Sequence, residues 1–234
     1  MARHVHITGA NRGIGLAIAQ RFLDVGDNVS TLYVGEEPPK GIDGIAGDVR
    51  DTESVNGALD SFEAKYGPVD VLIANAGITR DGLLMRMSDE DFESVIDVNL
   101  SGVFRCVRRA ANSMMRKKSG RIILIGSVVG LMGNPGQVNY SSAKAALVGM
   151  ARSVTREIGS RGITANVIAP GFINTAMTAE LGDDLQKQYQ NSIPARRFGE
   201  ADEVAGAAFF LASDDAAYIS GAVIPVDGGL GLGH

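Results

Sequence analysis

Short apolar runs rich in β-branched residues alternate along this chain with stretches whose apolar positions recur every three or four residues. The first kind are the strands expected of a parallel sheet buried on both faces, and the second are amphipathic helices that cover it. The strand candidates are roughly 4–8, 28–34, 44–48, 69–75, 121–127, 164–169 and 222–226. Helical spacing appears at Ile14, Ile18 and Phe22, at Val55, Leu59 and Phe62, and from Val138 to Ile158. Seven strands in that rhythm predict an α/β protein: a doubly wound Rossmann fold with a seven-stranded parallel sheet, one domain over residues 1–234. Glu36-Glu37-Pro38-Pro39-Lys40-Gly41 falls between strands two and three and leaves little room for a helix, so that crossover is expected to be abbreviated.

The first strand runs into Thr8-Gly9-Ala10-Asn11-Arg12-Gly13-Ile14-Gly15, and an amphipathic helix follows at once. Glycines there let the backbone turn tightly and approach a pyrophosphate, whose charge meets the free N–H groups and positive dipole end of the helix. The spacing GxxxGxG departs from the common GxGxxG, so the strand–turn–helix context carries the reading. Asp48-Val49 and Asn75-Ala76-Gly77 close strands three and four, at the carboxyl ends where open parallel sheets bind ligands. Asp48 is placed to accept from an adenine amino group, and Asn75 to tie its strand end to its neighbours.

Tyr140-Ser141-Ser142-Ala143-Lys144 puts a phenol and an ammonium four residues apart, on one helix face. A free tyrosine has a pKa of about 10, and an adjacent ammonium favours the phenolate. This pair, with Ser127 upstream, predicts a proton-transferring site, with Lys144 expected to lower the Tyr140 pKa.

These elements resemble those of the short-chain dehydrogenase/reductase family in order and along essentially the whole chain: Thr8 to Gly15, Asp48, Asn75-Ala76-Gly77, Asn99, Ser127, Tyr140 with Lys144, and Pro170-Gly171 with Thr175. Within that family the glycine turn, Ile125-Gly126-Ser127-Val128-Val129-Gly130 and the ending Ile219 to Gly229 are similar to the 3-oxoacyl-[acyl-carrier-protein] reductases, and the short second crossover and Gly229 to His234 tail to their mycobacterial form. The resemblance implies Tyr140 as general acid, Ser127 as the donor that orients the carbonyl oxygen, Lys144 on the nicotinamide ribose, and Asn99 positioning a relay water. It also implies a dinucleotide held by Gly9, Asn11, Arg12, Gly13, Ile14, Gly15, Asp48, Val49, Asn75, Ala76, Gly77, Tyr140, Lys144, Pro170, Gly171, Ile173 and Thr175. Arg12 suits the 2′-phosphate of NADPH, and strand two ends in Val34 rather than the acid expected of an NADH site, so NADPH is expected over NADH. The implied reaction is NADPH-dependent reduction of a 3-oxoacyl-[acyl-carrier-protein] in fatty acid biosynthesis. Acetoacetyl-CoA reduction stays open, because both thioesters carry the same β-keto head, and so does a noncatalytic dinucleotide sensor.

Composition narrows the partners. Net charge is −5, against a nucleic-acid partner, yet Val98 to Arg156 holds ten cations and no acid. Lys117 and Lys118, with Arg161, are a candidate docking patch for an acidic acyl-carrier protein. The polar, Met-containing stretch 176–197 is expected to form a substrate lid. One cysteine, Cys106, excludes an intrachain disulfide, and His4 and His6 lack a third ligand, so no metal site is expected. No apolar run is long enough for a membrane helix, and Met1 to Ile7 leads straight into the glycine turn, so a cytoplasmic location is expected. A homotetramer is the assembly the resemblance implies.

Overall fold

Seven parallel strands make one sheet in the computed structural model, which describes residues 2–175 and 182–231. They are β1 (His4–Thr8), β2 (Asn28–Tyr33), β3 (Asp43–Ala46), β4 (Val71–Ala74), β5 (Gly120–Ile125), β6 (Ile163–Pro170) and β7 (Val223–Val226), in the order β3-β2-β1-β4-β5-β6-β7. Each lies within two residues of its expected bounds. The helices are α1 (Gly13–Leu23), α2 (Thr52–Tyr66), α3 (Asp89–Ile96), α4 (Val103–Lys117), α5 (Val129–Met132), α6 (Val138–Ile158), α7 (Asp183–Ser192) and α8 (Ala201–Leu211). No helix joins β2 to β3, as the short prolyl segment required: Pro38 and Pro39 lack the N–H groups a helix interior uses.

Alternation along the strands builds two cores. Ile122 and Leu124 face a layer of α2, α4 and α6 that includes Leu59, Phe62 and Met114, while Ile123 and Ile125 face α1 and α8 with Phe22 and Val204. The strand order reverses at β1, which pairs with β2 on one side and β4 on the other. That reversal opens a crevice beyond the carboxyl ends of β1 and β4, where a doubly wound sheet takes its ligand. Of the expected lid, 176–181 lies outside the described residues and the remainder contains α7. No helix among the described residues is long and apolar enough to cross a membrane.

At the amino end of the sheet, His4 and His6 are buried and have structural partners. Nδ1 of His4 lies 2.9 Å from the Gly67 carbonyl, which only accepts, so that nitrogen carries the proton. Nε2 of His4 then accepts from the Ser30 hydroxyl at 2.9 Å, and Ser30 Oγ accepts from Nδ1 of His6 at 2.9 Å. His4 must be neutral for this chain to close, because its Nε2 accepts, and burial keeps His6 neutral beside it. Burial holds His4 below its ordinary pKa; burial, with the charges of His4 and Arg109, lowers His6 to about 3.

The sign follows from linkage. The unfolded imidazole takes a proton below about pH 6.5 and the folded one does not, so stability is complete above that pH and falls below it. Urea unfolding should show a loss of about 2 kcal/mol from His6 alone between pH 6.5 and 5, from 1.36 kcal/mol per unit. His6→Leu should flatten this slope even if it is less stable at pH 7. An unchanged slope would contradict the neutral-pair assignment.

Candidate active site

The glycine turn closes against β4 by hydrogen bonds that the strand ends cannot supply alone. Thr8 Oγ1 accepts from the backbone N–H of Asn75 and of Ala76, both at 3.0 Å. Asn75 Nδ2 donates back to the carbonyls of Thr8 and Gly9 at 3.0 and 3.1 Å. Gly9 and Gly13 sit at φ of 69° and 54°, the left-handed region, and Gly15 leaves no room for a side chain: a Cβ there would lie 2.3 Å from the Gly9 carbonyl oxygen. α1 begins with no acid in its first turn and no side-chain cap from Arg12, so its N–H groups face outward for an anion. Thr175 arrives from beyond β6, its methyl 3.8 Å from a Cβ placed on Gly13. These residues fit a dinucleotide pyrophosphate.

The other expected cofactor positions divide by what their side chains already do. Asn11 Nδ2 donates to the Val34 and Glu36 carbonyls at 3.3 and 3.0 Å, which ties the turn to the end of β2. Arg12 and Val34 are both exposed there. Asp48 takes a forked pair from Arg50, at 3.0 and 2.7 Å, which holds its carboxyl below the usual range. A carboxylate has about four acceptor sites, so adenine can still be met. Val49 is buried in the core, and Ile14 packs on it from the other face, so each can offer a ligand backbone only. Gly171 lies where a Cβ would strike Asp227 at 2.8 Å, Pro170 ends β6, and buried Ile173 bridges to Gly199.

The catalytic candidates meet at the end of β5. Ser127, two residues past the strand, lies close enough to the Tyr140 hydroxyl to favour its ionised form, and its Oγ accepts from the Val129 N–H at 3.2 Å. Lys144, one turn along α6 from Tyr140, is 4% exposed; its Nζ donates to the Ile125 carbonyl at 2.8 Å and lies 5.6 Å from the Tyr140 ring centroid. Asn99 is fully buried in a π-turn (Asp97–Gly102), where its amide accepts from the Ile78 N–H at 2.9 Å and donates to the Ile78 carbonyl at 2.8 Å. This fixes the loop that carries Gly77 toward Lys144, and π-turns frequently mark functional sites.

One expectation is corrected. Lys144 does not lower the Tyr140 pKa here: burial disfavours the phenolate, nearby Ser127 only partly offsets this, and the charge of Asp81 adds to it, so the phenol is pushed up to about 12. Burial also lowers Lys144 to about 8, which weakens the cation that was to act on it.

Asn139 is a further residue of the site, with no motif to mark it in the sequence. It is fully buried, accepts from the Tyr140 N–H at 2.7 Å, and donates to the Arg80 and Asp91 carbonyls at 2.8 and 3.3 Å. Its only signal was a polar residue next to the tyrosine.

Lys118 and Arg161 come together, because Gly162 abuts the Lys118 carbonyl, but at the amino ends of β5 and β6. β5 spans six residues, about 20 Å at about 3.3 Å each, so this patch lies at the opposite end of the sheet from Tyr140. Lys117 is ion-paired to Asp70. A separate cavity of about 300 Å³ lies beyond β7, where Arg197 pairs with Glu203 and Asp227 accepts from the Gly229 and Gly231 N–H groups; none of the catalytic candidates lines it. Among the described residues no three metal-ligating side chains converge. α7 is held over the segment after β6 by Tyr189, stacked on Phe172 with centroids 4.3 Å apart.

A family model described as "Enoyl-(Acyl carrier protein) reductase" matches residues 9–231. The chain is 52% identical over 234 residues to the 3-oxoacyl-[acyl-carrier-protein] reductase MabA of Mycobacterium avium, covering all of this chain and 92% of that protein. The Mycobacterium tuberculosis H37Rv protein of the same name is also 52% identical over 234 residues, with 95% of its length covered. The Escherichia coli K12 3-oxoacyl-[acyl-carrier-protein] reductase FabG is 48% identical over 232 residues, 96% of this chain and 95% of that protein.

The crowding at Gly15 is directly testable. Gly15→Ala should weaken dinucleotide binding at least tenfold in a fluorescence titration, because the turn must open by more than an ångström to admit the methyl. Wild-type affinity would contradict the geometry.

Proposed function

Because the chain belongs to the short-chain dehydrogenase/reductase family, we propose that it reduces the 3-oxo group of an acyl-[acyl-carrier-protein] to the 3-hydroxy product, in fatty acid biosynthesis. The supporting observation is Tyr140 set one helical turn from a buried Lys144, whose Nζ lies 5.6 Å from the tyrosine ring and donates to the last residue of β5, two residues before Ser127. Relatives 52% and 48% identical over nearly the whole chain are named 3-oxoacyl-[acyl-carrier-protein] reductases. This favours the reaction named for the relatives over the one in the family model's description.

Members of this family use a nicotinamide dinucleotide, which supplies the hydride when bound. Gly9, Gly13 and the first turn of α1 would hold its pyrophosphate, Asp48 its adenine, Asn75 to Gly77 and Thr175 its inner edge, and Lys144 its ribose. Ser127 orients the carbonyl and Tyr140 donates the proton. A phenol pushed up to about 12 is still more acidic than the alcohol that the alkoxide becomes, so the proton moves downhill. The raised pKa keeps the acid protonated through the physiological range and disfavours the reverse oxidation, which needs a phenolate. Asn99 holds the Ile78 loop beside Lys144, from where a relay water can be positioned.

Exposed Arg12 beside Val34, with no acid at that strand end, supports NADPH over NADH. Lys118 and Arg161 dock the acidic carrier, with Lys117 contributing less because Asp70 partly neutralises it. From the amino end of the sheet a docked carrier would serve the site of a neighbouring protomer, in a homotetramer built through the long helices that include α6 and through the C-terminal strand.

The test follows oxidation of NADPH and NADH with a 3-oxoacyl-carrier thioester and, separately, acetoacetyl-CoA. The carrier substrate with NADPH should be preferred, and Tyr140→Phe should lower kcat by about a thousandfold, the scale of general-acid catalysis. Arg12→Ala should raise KM for NADPH about tenfold and leave NADH unchanged, the loss of one charged phosphate contact. Equal or better use of acetoacetyl-CoA would favour a coenzyme A thioester reductase; full activity in Tyr140→Phe would overturn the acid assignment.

A further inference from the structure

Three successive residues of the segment after β4 are bonded, rung by rung, to the approach of α6. The Arg80 carbonyl accepts from Asn139 Nδ2 at 2.8 Å, Asp81 Oδ2 accepts from Gln137 Nε2 at 2.9 Å, and the Gly82 N–H donates to the Gly136 carbonyl at 2.8 Å. Gln137 is the N-cap residue of α6: its carbonyl accepts from the Ser141 N–H at 2.8 Å, and its Oε1 accepts from Asn134 Nδ2 at 2.9 Å. Asn139 in turn accepts from the Tyr140 N–H. The wall of the site is therefore joined to the backbone of the catalytic tyrosine.

The rungs differ in kind. Asn139 is fully buried and the Gly82 rung is main chain, whereas Asp81 is an exposed carboxylate bonded side chain to side chain. An exposed bond of that type contributes about 1 kcal/mol or less to folding, so stability gives little reason for a charge there. Its position does: Gln137 lies three residues before Tyr140, and among the rungs Asp81 alone brings a charge. Gly133 and Gly136, at φ of 76° and 81°, turn the 133–137 segment sharply, and within it Asn134 bonds Gln137 by both side chain and main chain.

We propose that Asp81, acting through Gln137, is a positioning residue for the reaction: it closes the wall beside the substrate carbonyl, holds the start of α6 in register, and places one negative charge against the Tyr140 phenol. Around the phenol stand Lys144 from α6 and neutral Ser127 from the end of β5, and the exposed carboxylate of Asp81, bonded to Gln137, acts on it through its charge from the β4 segment. From α3, Asp91 meets the start of α6 with its backbone carbonyl while its carboxylate accepts from Ser88 Oγ at 2.7 Å. The charge of Asp81 acts to keep the phenol protonated, the state that reduction uses.

This inference rests on Tyr140 as the acid, so Tyr140→Phe is assayed alongside: its full activity would sink that reading, whereas the Asp81 variants test only the clasp. Asp81→Asn keeps an acceptor for Gln137 and removes the charge. In oxidation of 3-hydroxybutyryl-CoA the rising limb of its kcat profile should move to lower pH than in wild type. Asp81→Ala loses both functions and should raise KM and lower kcat about fivefold, with a thermal midpoint close to wild type, since about 1 kcal/mol is at stake. An unmoved limb in Asp81→Asn, or wild-type kinetic constants in Asp81→Ala, would overturn the proposal; the Asn variant carries the test if the Ala variant folds poorly.

Discussion

The site depends on one buried cation. An ammonium removed from water is costly unless its protons find acceptors, and Lys144 gives one to the Ile125 carbonyl at the last residue of β5. That bond ties α6 to the sheet. It fixes Tyr140 one turn earlier above Ser127, and it directs the rest of the ammonium toward Gly77, where a Cβ would lie 3.6 Å from Nζ. The glycine turn, Asn75 and the Asn99–Ile78 pair then complete a continuous floor from the first helix to the catalytic tyrosine. No segment contributes its group independently: Thr8 holds β4, Asn75 holds the glycine turn, and Asn139 holds the β4 segment against α6.

The electrostatics of this floor favour one direction of chemistry. Burial raises the phenol and lowers the ammonium, so the site in this form holds a loaded acid beside a cation that titrates near 8. Reduction of a carbonyl creates an alkoxide basic enough to take that proton; oxidation must first remove it. A four-residue spacing implies proximity of two groups, but the sign of their mutual effect depends on how far each is withdrawn from water, which spacing does not reveal.

Much of the fold was legible because a parallel sheet buried on both faces leaves uninterrupted apolar runs such as Val71 to Ala74 and Ile122 to Ile125. The missing helix between β2 and β3 was legible from two adjacent prolines. Ser127, Tyr140 and Lys144 were legible because local spacing and strand position bring them together. What escaped depends on partners distant in sequence: the Lys117–Asp70 pair, the tautomers that Gly67 and Ser30 impose on His4 and His6, and the place of Lys118 and Arg161 at the far end of the sheet. Asn139 escaped for the same reason, since its partners belong to α3 and the β4 segment. The competition of Arg50 for Asp48, two residues away, was local and still invisible, because it depends on rotamers rather than on pattern.

The central claim is that Tyr140 is held as a protonated phenol by its surroundings. Its most direct test is a phenolate difference titration of the cofactor-free protein in the near ultraviolet, wild type minus Tyr140→Phe, to remove the other tyrosines. Wild type should show no excess phenolate up to about pH 10, with ionisation only toward 12. One equivalent of phenolate appearing between pH 7 and about 9 would contradict it, and would mean that Lys144 governs the tyrosine more strongly than burial does.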